Sequence, residues 1–360
     1  MRIIYLLFFT TIFCLSGVSQ ERKTAVSIQG DQFYINGELT YKGRYWQGYK
    51  IEGLLFNSRM VQGVFDDENP QTVDRFKYPD TGEWDPQRNT DEFVAAMESW
   101  RDHGMLAFTL NLQGGSPVGY GNSDWRNSAF DEKGALKPEF MARAEQILDE
   151  ADRLGMVVIL GYFYFGQDQY LDGEAAVKNV TTNATEWIMD KGYKNIIIEV
   201  ANECNNSKYD QAIIKADRIH ELMQQIKAIS SDGYRLLVAA SYNGNTLPTP
   251  NVVKESDFIL IHGNGVHDPD RITEMVEQTR QMDEYRTMPI VFNEDDHFDF
   301  DQEHNNMLAA TRAYASWGYF DYRMEGEGFK EGYQSVPVDW SINSDRKRGF
   351  FDKVKEITGY

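Results

Sequence analysis

Short runs of β-branched and other apolar residues recur along this chain, and each breaks off into a polar stretch. They are Met60–Phe65, Met105–Leu110, Met156–Gly161, Asn195–Val200, Tyr234–Ala240, Phe258–Ile261, Pro289–Phe292 and Tyr319–Tyr322. Uninterrupted apolar runs, rather than strict alternation, predict parallel strands covered on both faces. Between most of them the apolar period lengthens to that of a helix. Helices are predicted over Thr90–His103 (capped by Asn89 or Thr90), Pro138–Leu154 (closed by Gly155), Glu174–Lys191, Asp210–Ile229, Arg271–Tyr285 and His304–Trp317. Eight such units in a chain of 360 residues predict an α/β fold, a closed (β/α)8 TIM barrel. A doubly wound open sheet is the alternative. No Gly-x-Gly-x-x-Gly turn follows the first strand, which weakens a nucleotide-binding version of it.

Ahead of the barrel, Ala25–Thr40 reads AVSIQGDQFYINGELT, with turn signals at Gly30-Asp31 and Asn36-Gly37. This predicts a short N-terminal β-hairpin extension. The first residues have the form of an export signal: Arg2, an apolar core from Ile3 to Cys14, then small residues Ser16-Gly17-Val18-Ser19. The organisation read from the sequence is therefore a signal peptide over 1–20, a β-hairpin segment over 21–48 and a catalytic barrel over 49–360. A retained N-terminal anchor and lipidation at Cys14 are the alternatives at this end. Removing the signal leaves Cys204 as the only thiol, so no intramolecular disulfide can form. Export without disulfides suits a bacterial secreted or periplasmic protein. The net charge of −20 argues against nucleic acid and anionic membranes as partners, since both attract basic surfaces. No membrane insertion is expected once the signal is gone.

In such a barrel, chemistry gathers at the C-terminal ends of the strands. The residues that follow the runs are Asp66-Asp67, Asn111 and Gln113, Tyr162 and Tyr164, Asn202-Glu203, Tyr242-Asn243, His262 and Asn264, and Asn293-Glu294. Glu203 follows the fourth run and Glu294 the seventh, so in a closed barrel they face each other across the mouth. Two facing carboxyl groups suit glycoside hydrolysis, which needs a proton donor for the leaving oxygen and a second carboxylate at the anomeric carbon.

The sequence VANEC around Asn202-Glu203, with PIVFNEDDH around Glu294, resembles glycoside hydrolase clan A, the retaining barrel glycosidases that include family 5 cellulases. The resemblance implies Glu203 as general acid/base and Glu294 as nucleophile. It implies that Asn202 hydrogen-bonds the sugar 2-hydroxyl and that His262 binds substrate or orients the nucleophile. Tyr242 is a second candidate for that last role. Tyr162 and Tyr164 are candidate stacking platforms, and Asn111 and Asp66 candidate hydroxyl-binding groups. The partner implied is a carbohydrate, and no cofactor is required. Cys204 stands where family 5 commonly has Pro, and SWGYFDYRMEGEG offers no clean Trp at strand eight, which points to a less typical clan member.

Two other classes are compatible with these residues. A metal-dependent barrel hydrolase or sugar isomerase would use Glu203, Glu294, Asp296, His262 and His297. A catalytically silent barrel would bind carbohydrate only. Cys204 reads as a packed small residue. Asp321, Arg323, Glu325 and Glu327 bind hydroxyls or form an ion-pair loop.

Overall fold

The computed structural model describes residues 22–120 and 124–360. The expected signal over 1–20 lies outside the described residues.

Three antiparallel strands open the fold: β1 (Val26–Gln29), β2 (Gln32–Ile35) and β3 (Glu38–Leu39). Asn36 and Gly37 both take positive φ, 54° and 79°, as a tight two-residue hairpin turn requires. A second small hairpin pairs β4 (Tyr45–Trp46) with β5 (Tyr49–Lys50). The first sheet covers the N-terminal end of the barrel. Val26 N donates to Lys194 O just before a barrel strand, and Phe33 is buried with its ring 6.4 Å from that of Phe258.

The barrel strands are β6 (Asn57–Arg59), β7 (Ala107–Asn111), β8 (Val157–Phe163), β9 (Ile196–Ala201), β10 (Leu237–Ala239), β11 (Ile259–His262), β12 (Ile290–Glu294) and β13 (Gly318–Tyr319). Parallel pairing runs β10-β9-β8-β7-β6-β13, and β11 pairs with β12. Bridges Val291–Ser316 and Asp295–Tyr319 join β12 to β13, while Asp257 N donates to Val238 O between β10 and β11. One helix follows each strand: α1 (Pro86–Asp102), α2 (Pro138–Leu154), α3 (Gly173–Asp190), α4 (Ile219–Ala228), α5 (Pro250–Glu255), α6 (Pro269–Arg280), α7 (Asn306–Arg312) and α8 (Asp345–Thr358). The fold is a (β/α)8 barrel. Strands β7, β8, β9, β11 and β12 are buried along their whole length, because helices cover the face that the barrel interior does not.

Three local expectations are corrected. The first strand is Asn57–Arg59, and Met60–Phe65 is a buried loop beyond it. Asn89 and Thr90 bond that loop at Gln62 O and Gly63 O instead of capping a helix, and Asp85 caps α1 by accepting from Gln87 N and Arg88 N. The segment expected as one helix over Asp210–Ile229 holds a 3-10 turn at Ala212–Ile214 before α4. Asp168 Oδ2 accepts from Asp210 N and Gln211 N, and Ala216 N donates to Cys204 O, so these backbone groups bond outward rather than along a helix. Helix α8 has its own capping signals, the Ser344 side chain accepting from Lys347 N and left-handed Gly359 at its end, which the strand-based reading passed over.

Candidate active site

Strand β9 stops at Ala201, and Glu203 then adopts φ +52°, a left-handed conformation costly for any side chain other than glycine. Ser241, just past β10, holds the strained turn: its Oγ accepts from Glu203 N and its carbonyl from Cys204 N, each at 2.9 Å. The turn aims the Glu203 carboxylate over the barrel mouth. There Asn206 Nδ2 donates to Oε2 at 3.1 Å, and His262 Nδ1 lies 3.3 Å from Oε1.

Glu294 is the last residue of β12. Arg59, at the end of β6, brings its Nε within 2.9 Å of Glu294 Oε2. Asn264 Nδ2 donates to Oε1 at 2.8 Å, and His262 Nδ1 is 3.7 Å from Oε2. Carboxylate oxygens of Glu203 and Glu294 and a His262 ring nitrogen all lie within 4.8 Å of one another. The two acids therefore stand face to face with His262 between them.

Electrostatics follow from burial and these contacts. Burial disfavours a charge on His262, yet Glu294, Glu199 and Glu203 outweigh it and push the imidazole up to about 10. Burial raises Glu294 above the ordinary glutamate range, against the pull of Arg59 and His262. Glu199 is fully buried, and His262 and Arg59 overcome that burial to hold it below the ordinary range. The cluster thus holds two buried cations, Arg59 and His262, and three carboxyl groups, of which Glu199 and Glu294 are buried and Glu203 is partly exposed. It reaches neutrality when one of the three carries a proton.

The structure brings Asn202, Glu203, His262 and Glu294 together. Asn202 is buried and its Oδ1 has no hydrogen-bond partner. Tyr164 lies beside them but is buried: its hydroxyl meets Ser116 Oγ at 2.8 Å and its ring is 5.9 Å from the Arg59 guanidinium carbon. It forms floor rather than an exposed platform, and the half-buried Phe165 next to it lines the cleft instead. Asn111 is buried on β7, packed so tightly against Gly161 that a Cβ there would meet its Oδ1 at 2.1 Å. Three expected site residues fall elsewhere. Tyr162 points from β8 to α3, its hydroxyl 3.1 Å from Thr185 Oγ1. Tyr242 is buried with its hydroxyl 2.5 Å from Thr249 Oγ1. Asp66 sits beyond the loop that follows β6 and pairs with Arg143 in a separate hollow beside α2.

Arg59 and Glu199 were missing from the sequence-derived site. Glu199 carried a clear signal, as the lone acid inside the run NIIIEVA.

The cleft over the carboxylates encloses about 600 Å³ and is lined by Glu203, Asn206, Asn243, Asn264, Tyr120 and Asp296 among others. It shares Ser116, Phe165 and Lys208 with an adjoining groove of about 410 Å³ that continues over Trp125, Gln167 and Tyr170. On the other side Tyr120 forms a wall, its hydroxyl donating to Asp296 Oδ2 at 2.9 Å and accepting from Asn264 Nδ2 at 2.7 Å.

The five donors of the metal alternative divide into two groups: Glu203, His262 and Glu294 lie together, and Asp296 and His297 lie together with a sixth residue, Asp295. In the first, a metal ion would meet the Arg59 guanidinium beside Glu294 and an imidazole held protonated by its neighbours. In the second, Asp295 is already occupied by Trp317 Nε1, Asn306 Nδ2 and His297 Nδ1. Asp321 and Glu327 both pair with Arg346, so part of the loop after β13 is an ion-pair structure. Cys204 is fully buried, and burial pushes its thiol up to about 12, which suits a packing role.

The same architecture recurs in solved structures. A glycoside hydrolase family 5 structure from Bacteroides vulgatus superposes with a TM-score of 0.56 at 14% identity, over 91% of this chain and 69% of that one. A β-mannanase from the blue mussel Mytilus edulis gives 0.53 at 12% identity, over 93% and 96%. A broad specificity endoglucanase from Bacteroides salanitronis gives 0.53 at 11%, over 88% and 98%. Against another Bacteroides vulgatus structure (TM-score 0.55, 12% identity) this chain spans only 60% of the partner's length. No protein-family model and no curated protein matches the chain. At such identities the likeness establishes the barrel fold.

Proposed function

We propose that this chain is a retaining glycoside hydrolase that cleaves β-glycosidic bonds of a polysaccharide or oligosaccharide. The observation that carries the reading is the approach of Glu203 and Glu294 to within 4.8 Å, oxygen to oxygen, at the ends of the fourth and seventh barrel strands. Retaining enzymes hold their carboxyl groups about 5–5.5 Å apart, and inverting enzymes about 6.5–9.5 Å, to admit a water. The solved structures named above include glycoside hydrolases, a mannanase and an endoglucanase, which supports the same class.

Glu294, ionised beside Arg59, attacks the anomeric carbon. Glu203 gives its proton to the glycosidic oxygen, and the C–O bond to the leaving sugar breaks. The product is a glycosyl ester on Glu294. Glu203, now ionised, takes a proton from water, whose oxygen attacks the same carbon and frees Glu294. Two inversions give net retention, and every step is a proton transfer or a carboxylate displacement. Asn202 binds the 2-hydroxyl, a contact that tightens as the ring gains oxocarbenium character. The groove beyond Phe165 receives further sugar units of a chain. Export through the N-terminal signal would bring the enzyme to such polymers.

Proton NMR of a digest in progress tests the stereochemistry. The β-anomer of the new reducing end should appear first and the α-anomer only by mutarotation; initial release of α-product would mean inversion.

A further inference from the structure

Glu199 has no part in the double displacement, yet it is the third carboxylate of the cluster. It projects from β9 four residues before Glu203 and is wholly buried. Its Oε1 accepts from Asn293 Nδ2 at 3.2 Å and lies 3.8 Å from His262 Nε2, and its Oε2 is 4.0 Å from Arg59 Nη1. Taking a carboxylate out of water costs several kcal/mol unless cations compensate it. Every other residue of β9 is apolar.

His262 is placed between two sets of acids. Nδ1 faces Glu203 and Glu294 above, and Nε2 faces Glu199 below. A neutral imidazole has one N–H and one lone pair, so one nitrogen would direct its lone pair at a carboxylate. Only the imidazolium offers a proton to both sides. Arg59 is shared in the same way, with Nε toward Glu294 and Nη1 toward Glu199.

We propose that Glu199 is a positioning residue: a permanent counter-anion beneath the reacting pair that keeps His262 an imidazolium and anchors the Arg59 guanidinium. With Glu199 ionised, the two cations leave a single proton for the pair above, which is what an acid and a nucleophile require. The other groups around Glu199 do not compete for that charge. Cys204 and Tyr209 are both raised by burial and stay neutral, and Ser241 offers a hydroxyl. The catalytic consequence rests on the glycosidase reading; the charge arrangement does not.

The test therefore reads His262 without substrate. The chain has six histidines, and imidazole 13C/15N NMR of His-labelled protein, with His262→Asn to assign the resonance, follows its titration. In the wild type the resonance should stay that of an imidazolium through pH 8.5. Glu199→Gln should lower the midpoint by about one unit or more, and Glu199→Asp, which keeps the charge but withdraws it by a methylene, by less. If Glu199→Gln does not fold, Glu199→Asp alone decides. An unmoved midpoint in the folded variant overturns the proposal. In an active enzyme the alkaline limb of kcat/KM should fall with the His262 midpoint. A shifted midpoint in a protein that forms no glycosyl ester would leave Glu199 in place and remove the glycosidase reading.

Discussion

Glu294 works under opposed pulls. Burial favours its neutral form, and Arg59 at 2.9 Å with Asn264 at 2.8 Å favours the carboxylate. In the proposed mechanism attack on carbon needs the carboxylate, so activity should be lost as pH falls through the Glu294 pKa. That pKa lies above the usual 4.5, and the acid limb of kcat/KM is therefore expected above pH 4.5. A pH–rate profile checks this, and a limb at or below 4.5 would show that the cations win outright. At this scale the clustering of Glu203, Glu294, Asn202 and His262 was legible, because each stands within three residues of the end of a strongly apolar run. Arg59 was not. It closes a three-residue strand, Asn57-Ser58-Arg59, whose polar side chains give no sign of burial. Asp66 was misplaced for the same reason, since the apolar loop Met60–Phe65 took the place of the strand in the pattern.

Element by element, β8, β9 and β12 were readable because long β-branched runs buried on both faces have no competing interpretation at that length. Strand β10, three residues, falls inside the expected run Tyr234–Ala240, while β13, two residues, overlaps the expected Tyr319–Tyr322 only at Tyr319, because two residues are too short for a period. The start of α1 was misjudged because Asn89 resembles a cap but has a tertiary task. Its Nδ2 donates to Gln62 O and Gly63 O, and its Oδ1 accepts from Trp340 Nε1 at 3.1 Å. It ties α1 to the loop after β6 and to the segment that leads into α8. Asn89→Ala leaves buried partners unpaired and should cost about 2–4 kcal/mol in urea unfolding. A loss under about 0.5 kcal/mol would mean that the loop relaxes to other partners.

Across the whole molecule, closed eightfold topology is what carries Glu203 and Glu294 to opposite sides of one mouth from positions ninety-one residues apart. The N-terminal sheet seals the far end, and among the described residues no helix is long and apolar enough to cross a membrane. The groove leaves the cleft beside Glu203 on the Phe165 side, with Tyr120 walling the other. Tyr170 lines the groove but not the cleft, so Tyr170→Ala should lower kcat/KM about threefold to tenfold on a β-1,4-linked hexasaccharide and leave a small aryl glycoside unaffected, since a lost aromatic contact is worth about 0.5–1.5 kcal/mol. Equal losses on both substrates would show that the groove does not hold the added sugar units.

The central claim is a covalent bond between Glu294 and sugar carbon. Intact-mass and peptide mapping after treatment with 2-deoxy-2-fluoro-β-glucosyl and -mannosyl fluorides reads that bond directly. The account gives one added glycosyl unit on the Glu294 peptide, absent from Glu294→Gln. Labelling of another carboxylate, or equal labelling of the Glu294→Gln protein, would contradict it.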